Sequence, residues 1–160
     1  MARLTTLTQN ESAFLDTIGF SEGTLSLADE GYACVVGGGS FASYASHPRI
    51  AIKTRWGWTS AAGRYQIMDA VPGKVKTDTW SWASMACGVT DFSPESQDTV
   101  CRYLIARRGA LNDVNAGRFD DAVMKCNKEW ASLPGSPYGQ HTNSLEGLRD
   151  YYLSAGGQLS

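Results

Sequence analysis

Residues 10–23 have the sequence NESAFLDTIGFSEG, which predicts a helix with a marked beginning and end. Asn10 is a good helix N-cap, and Gly23 is the residue type that most often ends a helix. Phe14 and Ile18 recur at helical spacing and give the helix an apolar face. The chain therefore begins with an amphipathic helix whose apolar face has to be buried.

After this helix the sequence predicts a segment of short strands and turns and then further helices. Residues 24–68 contain scattered aromatic residues, Pro48 and a run of glycines, which predict short strands and turns, with strand candidates at 32–36 and 49–53. Apolar stripes and end signals then predict four further helical segments, near Trp80, from Ser93 to Gly109, from Phe119 to Trp130 and from Asn143 to Gly156.

These elements predict one α+β domain, mostly α, that spans residues 1–160. A β-containing insert covers about residues 24–68. The helical lobe combines the N-terminal helix with about residues 69–157. No internal repeat or low-complexity linker divides the chain.

The composition excludes several classes of protein. Of the 160 residues, 42% are hydrophobic and 19% are charged, so the chain can bury a core and is not disordered. The net charge of -2 and the lack of a Lys/Arg block argue against nucleic-acid binding. Four widely spaced cysteines and two histidines offer neither a metal-ligand set nor a catalytic cysteine, so we expect no metal and no cofactor.

The sequence also carries expectations about location. No apolar run reaches the length of a membrane span, and the first residues lack the apolar segment of a secretion signal. We therefore expect a chain made in the cytoplasm, without a membrane anchor and with its four cysteines as thiols. We also expect a monomer.

Glu22 is the first candidate for chemistry. It lies on the same helix face as Ile18 and in the last helical turn, where the helix dipole disfavours a carboxylate. Burial and the dipole both raise the pKa of such a group, as a general acid that protonates a glycosidic oxygen requires. On periodicity alone, an exposed glutamate at a frayed helix end is the more common explanation.

Two further segments combine aromatic rings with amides. Residues 59–66 are rich in small side chains that allow a ligand to approach, and Tyr65 and Gln66 add a stacking surface and an amide. A glycine turn with Tyr65 in the core is the alternative. The Pro- and Gly-rich loop after Trp130, which includes Tyr138, is a candidate for the wall of a cleft.

Eight short motifs follow one another along the chain: Ser21-Glu22-Gly23, Gly31-Tyr32, His47-Pro48-Arg49, Ala62-Gly63-Arg64-Tyr65-Gln66, Asp91-Phe92-Ser93-Pro94, Arg108-Gly109-Ala110-Leu111, Trp130 to Gly135 and Tyr138-Gly139-Gln140. In this order and at these spacings they resemble the phage lambda endolysin family. Members of that family are lytic transglycosylases that cut bacterial peptidoglycan. The resemblance runs from about residue 11 to residue 157.

The resemblance implies a lysozyme-like fold, with a helical lobe, a small β-containing lobe and a sugar-binding cleft between them. It places the family's catalytic glutamate on Glu22. It also implies that Tyr65 and Gln66 line the cleft, together with the loop around Ser132 and Tyr138.

A mechanism with one carboxyl group follows from the same resemblance. Glu22 protonates the leaving oxygen and then accepts the proton of the substrate's C6 hydroxyl, which closes onto C1 and gives a 1,6-anhydromuramic end. Many relatives have Asp directly after the Gly-Tyr pair, where this chain has Ala33, and the difference favours a single acid. Asp29 and Glu30, just upstream, are the alternatives for a second carboxylate.

Two other functions remain open at this point. One is a hydrolytic muramidase of the same fold, which needs a second acid, and the other is a wall-binding module without turnover. As an endolysin, the protein is expected to accumulate in the host cytoplasm and to depend on a holin that opens the membrane. It is then expected to act on the peptidoglycan strands of the periplasmic cell wall and to lyse the host.

Overall fold

The computed structural model describes residues 1–160 and contains six helices and one two-stranded antiparallel sheet. The helices are α1 (Gln9–Glu22), α2 (Thr79–Cys87), α3 (Pro94–Arg107), α4 (Leu111–Asn115), α5 (Phe119–Cys126) and α6 (Leu145–Ser154). The strands are β1 (Ile52–Thr54) and β2 (Gly57–Thr59), in which Lys53 pairs with Trp58. The predicted α+β class, mostly α, is confirmed. None of the helices is both long and apolar enough to cross a membrane.

The chain forms two compact units. The first, here called the helical unit, consists of residues 1–23 and 101–160. The second, here called the mixed unit, consists of residues 24–100 and includes both strands and α2. The prediction of one domain over residues 1–160, with an insert at about 24–68, stays a prediction.

Helix α1 begins earlier than predicted because Thr8, not Asn10, is its N-cap. The Thr8 side chain accepts a hydrogen bond from the Glu11 N–H, and the Glu11 carboxylate accepts one from the Thr8 N–H, which completes a capping box. Burial alone would raise the pKa of Glu11, but hydrogen bonds from Arg102 and Asn115 outweigh it and hold the pKa below its usual value. The cap therefore ties α1 to the rest of the helical unit.

Aromatic packing fixes the position of α1 within the helical unit. The Phe14 ring meets the Phe119 ring of α5 edge-on at 5.9 Å, and Phe119 packs on Tyr152 of α6 at 4.8 Å. All three side chains are buried, and burial of one such side chain stabilises the fold by about 1.5–3 kcal/mol. In the last turn of α1, which carries Glu22, the Phe20 ring stacks on Tyr151 of α6 at 4.3 Å.

The core of the mixed unit is organised around the buried carboxylate of Asp98 in α3. The hydroxyl groups of Tyr32 and Tyr65 donate hydrogen bonds to Asp98 Oδ1 at 2.8 and 2.6 Å. Beside this group, the rings of Trp80 in α2 and Phe92 pack edge-on at 4.6 Å. A buried carboxylate needs such donors, because an unpaired buried charge is costly.

Both strand predictions in the mixed unit are wrong in extent. Within residues 32–36, Cys34 and Val35 pair only in isolated bridges, and directly after this segment the backbone turns at Gly37 with φ +84°. The strand predicted at 49–53 overlaps β1 only at its end, since Arg49 has φ +49°, which a strand residue does not adopt. Only two strands of three residues each remain.

The predicted helix from Phe119 to Trp130 is too long at its end. Helix α5 ends at Cys126, whose carbonyl accepts a hydrogen bond from the Trp130 N–H in a turn beyond the helix. Trp130 is nevertheless buried, so the predicted apolar face is correct although its last residue is not helical.

Candidate active site

Glu22 is the last residue of α1, and the chain leaves the helix directly after it. Gly23 takes the left-handed conformation with φ +73°, and its N–H donates to the Phe20 carbonyl at 3.0 Å. A residue with a Cβ rarely adopts this conformation, so glycine is the natural residue here. The carboxyl group of Glu22 is thereby fixed at a helix end that is itself held by the aromatic core.

Three polar side chains of the helical unit, Ser21, Ser132 and Asn143, form what we call the serine–asparagine cluster. The Ser132 hydroxyl donates to Glu22 Oε1 at 2.9 Å and lies 2.7 Å from the Ser21 hydroxyl. The Asn143 amide donates to both the carbonyl and the hydroxyl oxygen of Ser21, each at 3.0 Å. The cluster thus connects the end of α1 to the loop after α5 and to the residue before the cap of α6.

The hydrogen bonds in this cluster run in one direction. Each serine hydroxyl has a single proton, and that of Ser132 is donated to Glu22. The Ser21 hydroxyl therefore donates to Ser132, and it receives the Asn143 amide proton in turn. The chain from Asn143 through Ser21 and Ser132 ends at Oε1 of Glu22.

This direction determines where Glu22 carries its own proton. When Ser132 donates to Oε1, the proton of a protonated Glu22 sits on Oε2, which has no hydrogen-bond partner in the structure. One carboxyl oxygen is therefore anchored, while the other is free to give or take a proton.

The pKa of Glu22 lies close to neutrality. Burial raises it from the ordinary value of 4.5 to about 7, and the hydrogen bond from Ser132 opposes that rise only in part. Desolvation has this effect because it penalises the charged form of a carboxyl group. A group with such a pKa is available both as an acid and as a base at neutral pH.

The loop that supplies Ser132 is ordered by contacts of its own. Leu133 is buried, and the Asn127 amide donates to the Pro134 carbonyl at 3.2 Å. Tyr138 donates its hydroxyl proton to the Lys128 carbonyl at 2.7 Å, while 52% of the residue is exposed. Its ring is therefore held at one end and open to a ligand on its face.

Tyr65 takes the alternative position that the sequence left open for it. The residue is 1% exposed, and its hydroxyl is bound to Asp98. Its ring offers no stacking surface for a sugar in this structure. Tyr65 instead anchors the segment that carries Gln66.

Gln66 presents a side chain that can still bind a ligand. Its amide nitrogen donates to the Gly63 carbonyl at 2.9 Å, whereas its amide oxygen accepts no hydrogen bond. Its backbone has φ +52°, a conformation that costs energy in a residue with a Cβ and that is frequent at functional sites. Gln66 is thus the candidate substrate contact of the mixed unit.

The two acidic residues upstream of Ala33 make structural contacts, Asp29 through its carboxylate and Glu30 through its backbone carbonyl. Asp29 accepts a hydrogen bond from the Tyr44 hydroxyl, and the Glu30 carbonyl accepts one from Arg64. Both acidic residues have positive φ values, of 52° and 54°. In the whole chain, no three residues among His, Cys, Asp and Glu lie together as metal ligands would.

Ser21 and Asn143 are the parts of this site that the sequence did not reveal. Asn143 was expected to cap the last helix, but the cap of α6 is Ser144, which accepts a hydrogen bond from the Gly147 N–H. Asn143 and Ser144 are both residue types that commonly cap helices, and only one of them can cap α6. This is the one signal in the sequence that the other makes a different contact. Ser21 carries no comparable signal, because a serine beside Glu22 in a helix end is unremarkable in sequence.

Comparison with known proteins agrees with this fold and identifies a family. Residues 12–159 match the sequence model of the family described as Endolysin. The endolysin of Escherichia phage P2 is 37% identical over 163 residues, covering 93% of this chain and 94% of that protein. The endolysin of Escherichia phage lambda is 35% identical over 158 residues, covering 96% and 95%.

A solved structure supports the same relationship. The bacteriophage lambda lysozyme complexed with a chitohexasaccharide superposes with a TM-score of 0.88 and 34% identity, covering 98% of this chain and 99% of that one. The resemblance and the lysozyme-like fold predicted from the motifs are confirmed. The chain therefore belongs to the endolysin family, the lysozyme-like phage enzymes that degrade the bacterial cell wall.

Proposed function

We propose that the protein cleaves the β-1,4 bond between MurNAc and GlcNAc in peptidoglycan by lytic transglycosylation. The observation that carries the proposal is the state of the Glu22 carboxyl group, with a pKa of about 7, one oxygen held by Ser132 and the other without a partner. Such a group can serve first as the acid and then as the base of one reaction. The products are strands with 1,6-anhydromuramic ends.

The reaction begins with Glu22 protonated on Oε2. The proton passes to the glycosidic oxygen, the bond from that oxygen to C1 breaks, and the leaving sugar departs with a free hydroxyl. The C6 hydroxyl of the muramic residue then bonds to C1 and gives its proton to the Glu22 carboxylate. Glu22 ends protonated again, so the cycle closes without a water molecule and without a second carboxylate.

The substrate class is supported by one of the fold comparisons. The lambda lysozyme of that comparison is complexed with a chitohexasaccharide, and we infer that this chain binds a glycan of the same general kind. The free amide oxygen of Gln66 and the open ring face of Tyr138 are the groups we assign to glycan binding. Ser132 acts through Glu22 and is a positioning residue, since its only proton is already donated.

The reaction type is tested by the ends that the enzyme makes. Purified cell walls should yield soluble muropeptides that carry anhydromuramic ends, as identified by mass spectrometry. Reducing muramic ends would assign the protein to the hydrolytic muramidases. Retention on the wall without release of muropeptides would make it a wall-binding module.

The pH dependence of cleavage should follow Glu22. Only the protonated carboxyl can start the reaction, so kcat/KM should fall about tenfold for each pH unit above the pKa of about 7. Ser132→Ala removes the hydrogen bond that lowers this pKa. The descending limb of the plot of kcat/KM against pH should therefore move to higher pH. Ser154→Ala, an exposed serine of α6, is the matched control. A limb that stays in place in Ser132→Ala would contradict the role given to this hydrogen bond.

We further propose that the protein works as a monomer and reaches the wall from the host cytoplasm through a holin. Family membership supports this route, because an endolysin acts on a wall outside the membrane. Cells that express the chain should lyse only when a membrane-permeabilising protein or solvent is supplied. Prompt lysis by the chain alone would overturn the route but not the reaction.

A further inference from the structure

The charge of the mixed unit is unevenly distributed. Residues 49–78 contain six Lys or Arg and two Asp, a net charge of +4 in a chain whose net charge is -2. Residues 31–68 contain no acidic residue at all. The cations are therefore concentrated around the β1–β2 hairpin and the loop that follows.

The lysines in this region have no counter-ions. Two ammonium groups approach the same ring, with the Nζ atoms of Lys53 and Lys74 at 5.4 and 4.7 Å from the centre of Trp58. Neither lysine forms an ion pair. The nearby Asp69 is already neutralised, because its carboxylate is buried and bound to Arg49 at 2.9 Å. Both lysines make cation–π contacts with Trp58, and a bound anion would supply the opposite charge that neither lysine has in the structure.

The loop after Asp69 lines an open cavity, to which Lys74 contributes. Val71 and Val75 pair through backbone hydrogen bonds, and Pro72 and Gly73 form the turn between them. The cavity has a volume of about 620 Å³, and its charged lining residues are Arg49, Lys74 and Lys76. The other carboxylate of this segment, Asp78, is not among its lining residues.

We propose that this cavity, with Lys74 and Lys76 at its rim and Trp58 beside it, binds the carboxylates of the stem peptides on peptidoglycan. The inference rests on the proposed function, which makes peptidoglycan the substrate. Stem peptides combine alanine residues with free carboxylates. Their alanines fit the apolar walls that Val71, Pro72 and Val75 provide, and their carboxylates fit the two lysines.

The shape and chemistry favour a stem peptide over other anions or sugars. A neutral sugar would leave the ammonium groups without an anion. A lipid bilayer presents a flat surface, which does not enter a cavity of about 620 Å³, whereas pockets of this size suit short peptides. The site would therefore distinguish glycan strands that carry peptides from strands that do not.

The test compares two substrates with one variant. One substrate is intact peptidoglycan, and the other is the same glycan after an amidase has removed its stem peptides. Lys74→Gln/Lys76→Gln should lower kcat/KM on intact peptidoglycan by about threefold to tenfold, as expected for two exposed ion pairs, and leave cleavage of the bare glycan unchanged. The difference between the two substrates in the effect of the variant on kcat/KM should become smaller at high salt, because salt screens exposed charges.

Controls keep the outcomes separate. Arg107→Gln/Lys128→Gln removes the same charge from exposed positions of the helical unit and should affect the two substrates equally. If kcat/KM of the lysine variant falls equally on both substrates, or falls on neither, the stem-peptide site is refuted while the proposed function stands. If the wild-type protein cleaves neither substrate, the proposed function itself fails. A further outcome is that the wild-type protein, but not the lysine variant, binds phosphatidylglycerol vesicles while both cleave the two substrates equally well. That result would identify a membrane, not a stem peptide, as the ligand and would overturn the proposal.

Discussion

Glu22→Gln should reduce the release of muropeptides from cell walls by about a thousandfold or more, because the amide can neither give nor take a proton. The replacement is close in shape, and its amide oxygen can still accept the hydrogen bond from Ser132. The fold and the serine–asparagine cluster should therefore persist. The loss should appear in kcat, measured as muropeptides released per enzyme from purified walls.

A stability measurement would show that any loss of activity in Glu22→Gln does not come from unfolding. The pKa of Glu22 is about 7 in the folded protein and near 4.5 in the unfolded chain, so the folded state binds more protons between these values. Stability from this group is present at low pH and is lost as the pH rises through about 7. The variant should thus have a higher Tm than wild type at about pH 8 and lose that advantage at about pH 4.

The control for this experiment is Glu146→Gln. Glu146 lies exposed in the first turn of α6 and has no part in the proposed reaction. This variant should retain wild-type release of muropeptides. Substantial activity in Glu22→Gln, with Glu146→Gln behaving as wild type, would remove Glu22 from the reaction.

Gly63→Ala should destabilise the protein by about 3–5 kcal/mol, because the added methyl group has no room and the backbone has the wrong conformation for it. Gly63 has φ +75°, and a Cβ there would lie 2.2 Å from Oε1 of Gln97 and 3.0 Å from Phe92. Gln97 is buried and cannot move without losing hydrogen bonds to the Arg64 N–H and the Tyr32 carbonyl. Urea unfolding would measure the loss.

Gly37→Ala separates backbone strain from the lack of space. Gly37 also has a positive φ, +84°, but nothing lies within 4 Å of the position of its Cβ. This variant should lower the free energy of unfolding by only about 1–2 kcal/mol, the strain of an alanine in the left-handed conformation. Equal losses in the two variants would show that Gln97 yields and that the packing at Gly63 is not tight.

The sequence predicted the elements whose signals are local. The left-handed Gly23 at the end of α1, the Pro94 start of α3 and its end near Arg107 all follow from residue types with fixed positional preferences. The register of the β1–β2 hairpin has no such signal. It is set by the two-residue connection Arg55-Trp56 between the paired residues Thr54 and Gly57, and these residue types do not mark a hairpin turn.

The candidate site likewise contains residues that the sequence pointed to and residues that it did not. Periodicity put Glu22 on the apolar side of a helix end but left an exposed glutamate as the more common explanation, and only the family resemblance singled it out. In the structure burial raises its pKa to about 7. The hydrogen-bond chain from Asn143 was not visible, because Ser21 and Ser132 are more than 100 residues apart in sequence. Tyr65 shows the converse, since an aromatic ring beside a glycine turn looks the same in sequence whether it faces a ligand or Asp98.

The origin of the oxygen at the new chain end is the most direct test of the central claim, that the substrate's own C6 hydroxyl closes the reaction and Glu22 alone moves the protons. Purified peptidoglycan would be digested in heavy-oxygen water, and the muropeptides analysed by mass spectrometry. We predict anhydromuramic ends that contain no label. Reducing ends that carry the heavy oxygen would show that water attacks C1, and they would contradict it.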